Sequence, residues 1–371
     1  MRILILQPNL WNKKGAAPVL VMKNLAASLK LSYEFFFVSI CKLEPATQKE
    51  LLTAGHKVEN LNVPKWLPIF RSKKLVSLIY DWKPDIIHIN QLRSELLAAS
   101  IKKHFPSIPI ISTKHGFYEY FDPSRKWPYS LVRLKALKYV QKSIDHTVCI
   151  SHFEKGFYVS HGIPVNKISV IHNGIQPTLL LSRSSAPAFN IITVGKLEPR
   201  KGMDKFIIAA KKVLQKGYKN CKFQIFGTGS EQAYLEKLIL ETGYGEYIKL
   251  MGFETNKDRI YADASIYVHA ASNEAFGLSI AEAMHYGLPV VSFNVDAVPE
   301  IVEHNVTGFL VPPNDIEKMA EKIETLMLDN KLLDVMSAKS HKRANEEFSH
   351  SKMADKYANL YKEILDIQNN E

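Results

Sequence analysis

Two glutamates, Glu274 and Glu282, bracket the segment Glu274-Ala-Phe-Gly-Leu-Ser-Ile-Ala-Glu282 and carry the most specific chemistry in this sequence. Gly277 between them permits close approach of the backbone, and a helix starting near Leu278 presents unbonded amides and the positive end of its dipole. Glu282 then lies about one turn inside that helix. Two carboxylates directed to one place can each accept paired hydroxyls, so vicinal diols of a sugar or a ribose are their natural partner. The combination suits a ligand that is both hydroxylated and anionic.

A second element, Val194-Gly195-Lys196-Leu197-Glu198-Pro199-Arg200-Lys201-Gly202, ends a predicted strand and precedes a predicted helix. Lys196, Arg200 and Lys201, together with the amide dipoles there, can reach a diphosphate. Ser112-Thr-Lys-His115-Gly116-Phe117 also follows a strand and offers His115 as a polar group. Phe226-Gly227-Thr228-Gly229 and Met251-Gly252-Phe253 each follow a strand too, although ordinary turns use the same residues. Asn173-Gly174-Ile175 reads as a turn with positive φ feeding a hinge.

These residues need a scaffold, and the apolar pattern describes one. Short apolar runs recur at Ile3 to Leu6, Tyr33 to Ile40, Ile86 to Ile89, Ile108 to Ser112, Thr147 to Ile150 and Ile168 to Ile171. Helical stretches lie between them, including Val19 to Leu29, Ser72 to Asp81 and Leu92 to His104. After a linker-like stretch from Ser182 to Ala188 a second series follows: strands at Phe189 to Val194, Lys222 to Ile225, Ile248 to Met251, Ile266 to His269, Pro289 to Phe293 and Gly308 to Val311, with helices over Gly202 to Gln215, Ser230 to Thr242, Leu278 to Tyr286 and Asp315 to Leu328. Strands buried on both faces and alternating with helices predict parallel sheets. The expected fold class is α/β, with two Rossmann-like doubly wound domains facing a cleft: residues 1–175, residues 176–350, and a C-terminal helix over 351–371. That last helix has apolar residues at helical spacing, and is expected to lie on the surface and pack back toward the N-terminal domain. Open sheets of this kind bind ligands at the carboxyl ends of their strands, so the ligand is expected between the domains.

The chain has 371 residues and 42.1 kDa, which suits roughly two domains. Its net charge of +11 is uneven: residues 1–175 hold 25 Lys+Arg against 11 Asp+Glu, or +14, and residues 176–371 hold 23 against 26, or −3. The basic half is expected to meet something anionic, such as phospholipid headgroups. Two basic aromatic stretches, from Lys65 to Lys74 with Trp66 and from Arg125 to Lys142 with Trp127, could meet a membrane or a lipid-linked acceptor. No apolar run reaches about 18 residues, the start lacks a signal h-region, and Cys41, Cys149 and Cys221 show no pairing or zinc spacing. A reducing cytoplasm is expected, with the protein peripheral on the inner face of a membrane.

E-x7-E with Phe276-Gly277-Leu278, followed by Glu282-Ala-Met-x-x-Gly287-x-Pro289, resembles the signature of the family-4 retaining glycosyltransferases of the GT-B fold, over essentially the whole chain. The resemblance implies that Glu274 contacts donor-sugar hydroxyls, that the amides around Phe276, Gly277 and Leu278 serve sugar and phosphate, and that Glu282 holds the ribose. It gives Lys196, Arg200 and Lys201 the leaving diphosphate, places Gly15, Gly227, Gly229 and Phe253 around the nucleotide, and sets His115 near the anomeric carbon. The sequence departs from the family where Lys196 replaces an arginine, where only Gly15 remains of a glycine pair, and where Asp296 and Ala297 replace another. The implied function is transfer of a hexose-type sugar from a nucleotide-sugar donor, UDP-sugar favoured, to a glycan or lipid-linked acceptor in surface polysaccharide, lipopolysaccharide or glycolipid assembly. No cofactor and no metal are expected, since no D-x-D pair is present and the cations replace one. A nucleotide-sugar epimerase would use the same fold without a reason for E-x7-E. A nucleic-acid-binding protein would use the basic half without a recognition motif, and a hydride-transfer enzyme lacks G-x-G-x-x-G after the first strand.

Overall fold

A computed structural model of the chain describes residues 1–10, 17–64, 72–116, 129–176 and 188–369. Gly15 with most of its loop, the stretch from Lys65 to Arg71, the residues from Phe117 to Pro128, and most of the stretch expected as a linker lie outside them. The chain divides into two compact units, Met1–Gly174 with His350–Glu371, and Ile175–Ser349.

The first unit runs β1 (Arg2–Leu10), α1 (Ala17–Leu29), β2 (Glu34–Leu43), α2 (Pro45–Thr53), β3 (Lys57–Asn60), α3 (Lys73–Trp82), β4 (Ile86–Asn90), α4 (Gln91–Glu95), α5 (Ala98–His104), β5 (Ile110–Thr113), α6 (Tyr129–Gln141), β6 (His146–Cys149), α7 (His152–Ser160) and β7 (Ile168–Val170). The second runs β8 (Phe189–Val194), α8 (Met203–Gln215), β9 (Cys221–Phe226), α9 (Gln232–Thr242), β10 (Ile248–Gly252), α10 (Lys257–Tyr261), β11 (Ile266–His269), α11 (Leu278–His285), β12 (Val290–Phe293), α12 (Val298–Ile301), β13 (Gly308–Val311), α13 (Ile316–Leu328) and α14 (Asn330–Glu347). A last helix, α15 (His350–Asn369), belongs to the first unit.

The sheets are parallel, in the orders β3-β2-β1-β4-β5-β6-β7 and β10-β9-β8-β11-β12-β13. In each, the first strand sits inside the sheet and the chain reverses direction beside it, between β1 and β4 and between β8 and β11. Such a switch point opens a crevice beyond the strand ends. β4, β5, β11 and β12 are buried at every residue, which is why they read as continuous apolar runs rather than alternating ones.

Three sequence expectations change. The helix expected from Leu92 to His104 is two helices: the Leu97 amide bonds the Ser94 carbonyl three residues back, which tightens the turn and ends α4 at Glu95, whose side chain is fully buried. The C-terminal helix, amphipathic and packed back on the first unit as expected, does more than cover it, since its apolar face is part of the core. Met353, Ala354, Tyr357, Leu360, Tyr361 and Ile364 of α15 share one apolar core with Ile3 and Ile5 of β1, Phe35 and Phe37 of β2, and Met22 and Leu25 of α1. And β3, α2, α6, α7, α10, α12 and α14 have no counterpart among the expected elements; β3 has only Val58 as a buried apolar residue, too weak a pattern to register.

α15 also closes a buried polar chain. His88 of β4 bonds Tyr361 through Nδ1 at 2.7 Å and Thr113 through Nε2 at 2.7 Å, and the Thr113 hydroxyl meets the Tyr357 hydroxyl at 2.9 Å. Either tautomer of a neutral imidazole satisfies these partners. Burial, with the nearby His115 ring, pushes the His88 pKa down to about 3. The unfolded chain therefore takes up a proton near pH 6.5 that the folded chain refuses. Stability contributed by the neutral ring is present above pH 6.5 and lost as pH falls toward 3, by about 1.4 kcal/mol per pH unit. Thermal melts should show this slope added to that of His115, whose pKa burial also lowers to about 3, and His88→Gln should reduce it without abolishing it. Tyr361→Phe, which strands Nδ1, should cost about 1–3 kcal/mol at pH 7; a melting temperature equal to wild type would show that the pair carries no stability.

Candidate functional site

In the second unit, the loops that leave the carboxyl ends of the strands are laced by main-chain bonds. The Gly195 amide donates to the Phe226 carbonyl (3.0 Å), the Leu197 amide to Thr228 (3.2 Å) and the Gly227 amide to Gly252 (2.7 Å). Glycine is required here by space. A Cβ on Gly227, whose φ is 146°, would stand 1.8 Å from the Gly195 carbonyl oxygen, and one on Gly229 would stand 2.2 Å from that of Leu197. Gly227 and Gly229 therefore let the loop after β9 lie against the loop after β8. Phe253, next along this edge, is 52% exposed.

The loop after β8 turns through a 3-10 segment, Pro199–Lys201, into Gly202 at φ 65°. Its three cations have different surroundings. Lys196 and Arg200 are nearly half exposed, and both approach Glu198, at 3.8 and 3.4 Å. Lys201 is largely buried and donates to Glu274 Oε2 at 2.5 Å, with both side chains about 15% exposed or less. His269, at the end of β11, stands 3.4 Å from the same oxygen. Burial by itself raises a carboxyl pKa, but the Lys201 charge and the His269 ring outweigh it and hold Glu274 well below the usual carboxylate range. Glu274 is thus a fixed anion beside a fixed cation.

Glu274 is also held by its backbone. Asp296, at φ 45°, accepts the Glu274 amide on Oδ2 at 2.9 Å, and the Ala297 amide donates to the Glu274 carbonyl at 3.2 Å. The departure noted in the sequence is therefore physically consistent: aspartate tolerates the left-handed region better than most residues and adds an acceptor that glycine lacks. Beyond Glu274 the chain enters α11 through Gly277 at φ 102°. Phe276 is buried against Phe348, ring centroids 5.8 Å apart, so it presents its main chain to the strand-end loops and not its ring. Leu278 opens α11; the Ile280 and Ala281 amides both donate to the Gly277 carbonyl, and those of Leu278 and Ser279 precede the first intrahelical bond. Glu282, one turn on, is buried, and its Oε2 accepts the Tyr261 hydroxyl at 2.9 Å and Lys257 Nζ at 2.7 Å. Both bonds go to one oxygen.

In the first unit, His115 follows β5 and bonds Asn90 Oδ1 through Nε2 at 2.9 Å. Burial pushes its pKa down to about 3, so the ring is neutral at ordinary pH. The residues around it are anchored on opposite sides. Lys114 sends its side chain to the buried Glu95, which also takes the Ser112 hydroxyl. Gly116 donates its amide to Glu154 Oε1 at 2.7 Å, and Glu154 also takes the Ile150 amide at 3.0 Å.

Lys196, Arg200, Lys201, Gly227, Gly229, Phe253, Glu274, Phe276, Gly277, Leu278 and Glu282 thus lie on the strand-end loops of the second unit or within the first turn and a half of α11. His115 stands at the corresponding edge of the first unit, and Gly15 lies outside the described residues. Sequence reasoning missed His269, Lys257, Tyr261, Asn90, Glu95 and Glu154, and noted Asp296 only as a residue replacing an expected glycine. Apart from His269, close in the chain to Glu274, the missed residues act through partners distant in the chain.

Two families match the chain in succession: Glycosyltransferase Family 4 over residues 22–179, and Glycosyl transferases group 1 over residues 184–343. An uncharacterised glycosyltransferase of Methanocaldococcus jannaschii is 28% identical over 331 residues, covering 80% of this chain and 79% of that one. The amylovoran biosynthesis glycosyltransferase AmsK of Erwinia amylovora is 33% identical over 174 residues, 44% of this chain and 42% of that one. Among solved structures, Anabaena HepE in complex with UDP aligns with a TM-score of 0.82 at 21% identity, covering 98% of this chain and 100% of that one.

The Asp296 clamp is testable. Asp296→Asn retains an acceptor and a tolerance for φ 45°, and should melt like wild type. Asp296→Ala leaves the Glu274 amide unpaired and puts alanine in the left-handed region, and should lose about 1–3 kcal/mol by thermal melt. Equal melts for the two variants would remove the clamp from the account.

Proposed function

The chain belongs to glycosyltransferase family 4, with the GT-B fold, and we propose that it transfers a hexose-type sugar from a UDP-sugar, with retained anomeric configuration and without a metal, to a glycan or lipid-linked acceptor in surface polysaccharide or glycolipid assembly. The observation that carries this reading is the Lys201–Glu274 pair, a buried cation and a buried anion side by side at the strand ends. A sugar nucleotide asks for that pairing: a cation for the diphosphate and an acceptor for sugar hydroxyls. Lys196 and Arg200, both exposed enough to swing from Glu198, add charge to stabilise the leaving diphosphate, and such preorganised electrostatics supply a large share of transferase rate enhancement. Glu282, with Oε2 already engaged, directs Oε1 to a ribose diol. His115, neutral and buried, orients a hydroxyl rather than carrying charge. HepE is crystallised with UDP-glucose, and AmsK is named for amylovoran biosynthesis; both support a UDP-sugar and a polysaccharide context here.

Binding and hydrolysis of a panel of UDP-, GDP- and ADP-sugars in EDTA, comparing wild type with Glu282→Ala, tests the donor site. Wild type should bind one UDP-sugar without added metal and the variant should lose at least tenfold in affinity. No binding of any sugar nucleotide, or binding that EDTA abolishes, contradicts the reading.

The same reading has the protein work in the cytoplasm, peripheral on the inner face of the membrane through its basic half. On α6 and just beyond its end, Lys135, Lys138, Tyr139 and Lys142 are exposed, a basic surface with an aromatic among the lysines. No helix among the described residues is long and apolar enough to cross a membrane. In flotation assays the protein should rise with vesicles containing 30% anionic lipid and be released by about 0.5 M salt, as surface charge attraction requires; flotation with neutral vesicles alone would count against it.

A further inference from the structure

The sheet of the first unit ends on β3, and no strand among the described residues lies beyond it. An edge strand presents amides and carbonyls that can pair with another chain. The bonding of β3 to β2 fixes which of its groups point outward. β3 runs parallel to β2 with Val58 opposite Phe37 and Asn60 opposite Ser39, and the Leu61 amide donates to the Ser39 carbonyl at 2.8 Å. Alternate residues of a parallel strand bond the same neighbour, so Lys57, Glu59 and Leu61 turn their main chain to β2, while Val58 and Asn60 turn theirs away.

Both flanks of this outer edge are closed. The Asn60 carbonyl accepts Lys74 Nζ at 2.7 Å, and the His56 amide is spent on the Leu51 carbonyl at 3.0 Å. Val58 stands between them with its amide and carbonyl directed outward. Its side chain belongs to the core that α1 and α15 share with β1 and β2, so what it offers to the groove beside it is main chain. Phe36, Leu52, Leu78 and Trp82 form the apolar part of that groove, and Leu52 is 52% exposed.

The charges on either side of Val58 decide what fits. Lys57 and Glu59 share the opposite face of the strand, one residue before and one after Val58. Lys57 is exposed, and Glu59 is half-buried with Lys74 at 3.0 Å. Opposite charges at equal distances from a centre are complementary to their own reversal. We propose that β3 pairs antiparallel with β3 of a second copy of this chain, about a two-fold axis at Val58. The two Val58 residues exchange both main-chain hydrogen bonds, and each Lys57 stands opposite Glu59 of the other copy. Parallel pairing in the same register sets lysine beside lysine and glutamate beside glutamate, which disfavours it. A two-fold contact of this kind is closed, so association stops at a dimer.

Sedimentation equilibrium of the full chain over about 1–100 µM, a range that suits a small interface, tests the pairing. Wild type should pass from monomer to dimer as its concentration rises. Lys57→Glu sets glutamate against glutamate across the axis and Glu59→Lys sets lysine against lysine, so each variant alone should dimerise at least about tenfold more weakly. Mixed in equal amounts, the two variants should associate to within about threefold of wild type, because every cross-axis pair is again of opposite charge. Val58→Pro removes the outward amide and no bond to β2, at a position where an edge strand tolerates proline, and should give a folded monomer. The proposal is overturned if wild type stays monomeric throughout, if either charge variant dimerises as wild type does, if the mixture associates no better than its components, or if folded Val58→Pro still dimerises. The charge variants and their mixture decide the matter whether or not Val58→Pro folds.

Discussion

A cation and an anion taken out of water lose more in hydration than their mutual attraction returns unless their geometry is held and their remaining hydrogen bonds are met. Lys201 and Glu274 are such a pair, and much of the second unit reads as the means of holding them. Glu274 is gripped at its amide by Asp296 and at its carbonyl by Ala297, and its carboxylate is steadied by His269. On the other side, the Ser272 amide ties down the Arg200 carbonyl at 3.0 Å, so the residue before Lys201 is fixed to the strand that leads to Glu274. The glycines at 227 and 229 belong to the same device, since they bring the neighbouring loop hard against the one that carries the cations.

The two units share a strand order but solve the strand-end problem with different chemistry. In the second unit the edge is charged, and cations are paired with carboxylates. In the first, the charges near the edge are turned inward: Lys114 is consumed by Glu95, and Glu154 is consumed by main-chain amides. Among the described residues, the side chains of Gln7, Asn90 and His115 at that edge are neutral and hydrogen-bonding. His115 is kept neutral by burial, which suits a residue that must accept or donate one bond without contributing charge.

The last helix ties the chain's end to its beginning. α15 puts Tyr357 and Tyr361 against β4 and β5, where they terminate the polar chain from His88 and Thr113. The core of the first unit therefore includes residues of α15, far along the chain, as fully as it includes those of β1.

The strands β8, β11 and β13 could be read to the residue, because a largely buried strand carries its signal locally, in a mostly apolar run between turn residues. The residues most exposed to a ligand's demands, Glu274, Glu282 and the Lys196–Lys201 loop, were legible for a related reason: their spacing is fixed by one turn and one helix start. Tertiary structure decided the rest. Asp296 meets Glu274 across 22 positions, Tyr361 meets His88 across 273, and Asn90 meets His115 across 25. Hydrogen bonds between residues that far apart leave no period in the chain, so which side chains are satisfied, and which are left facing a ligand, exists only once strand register has brought them side by side.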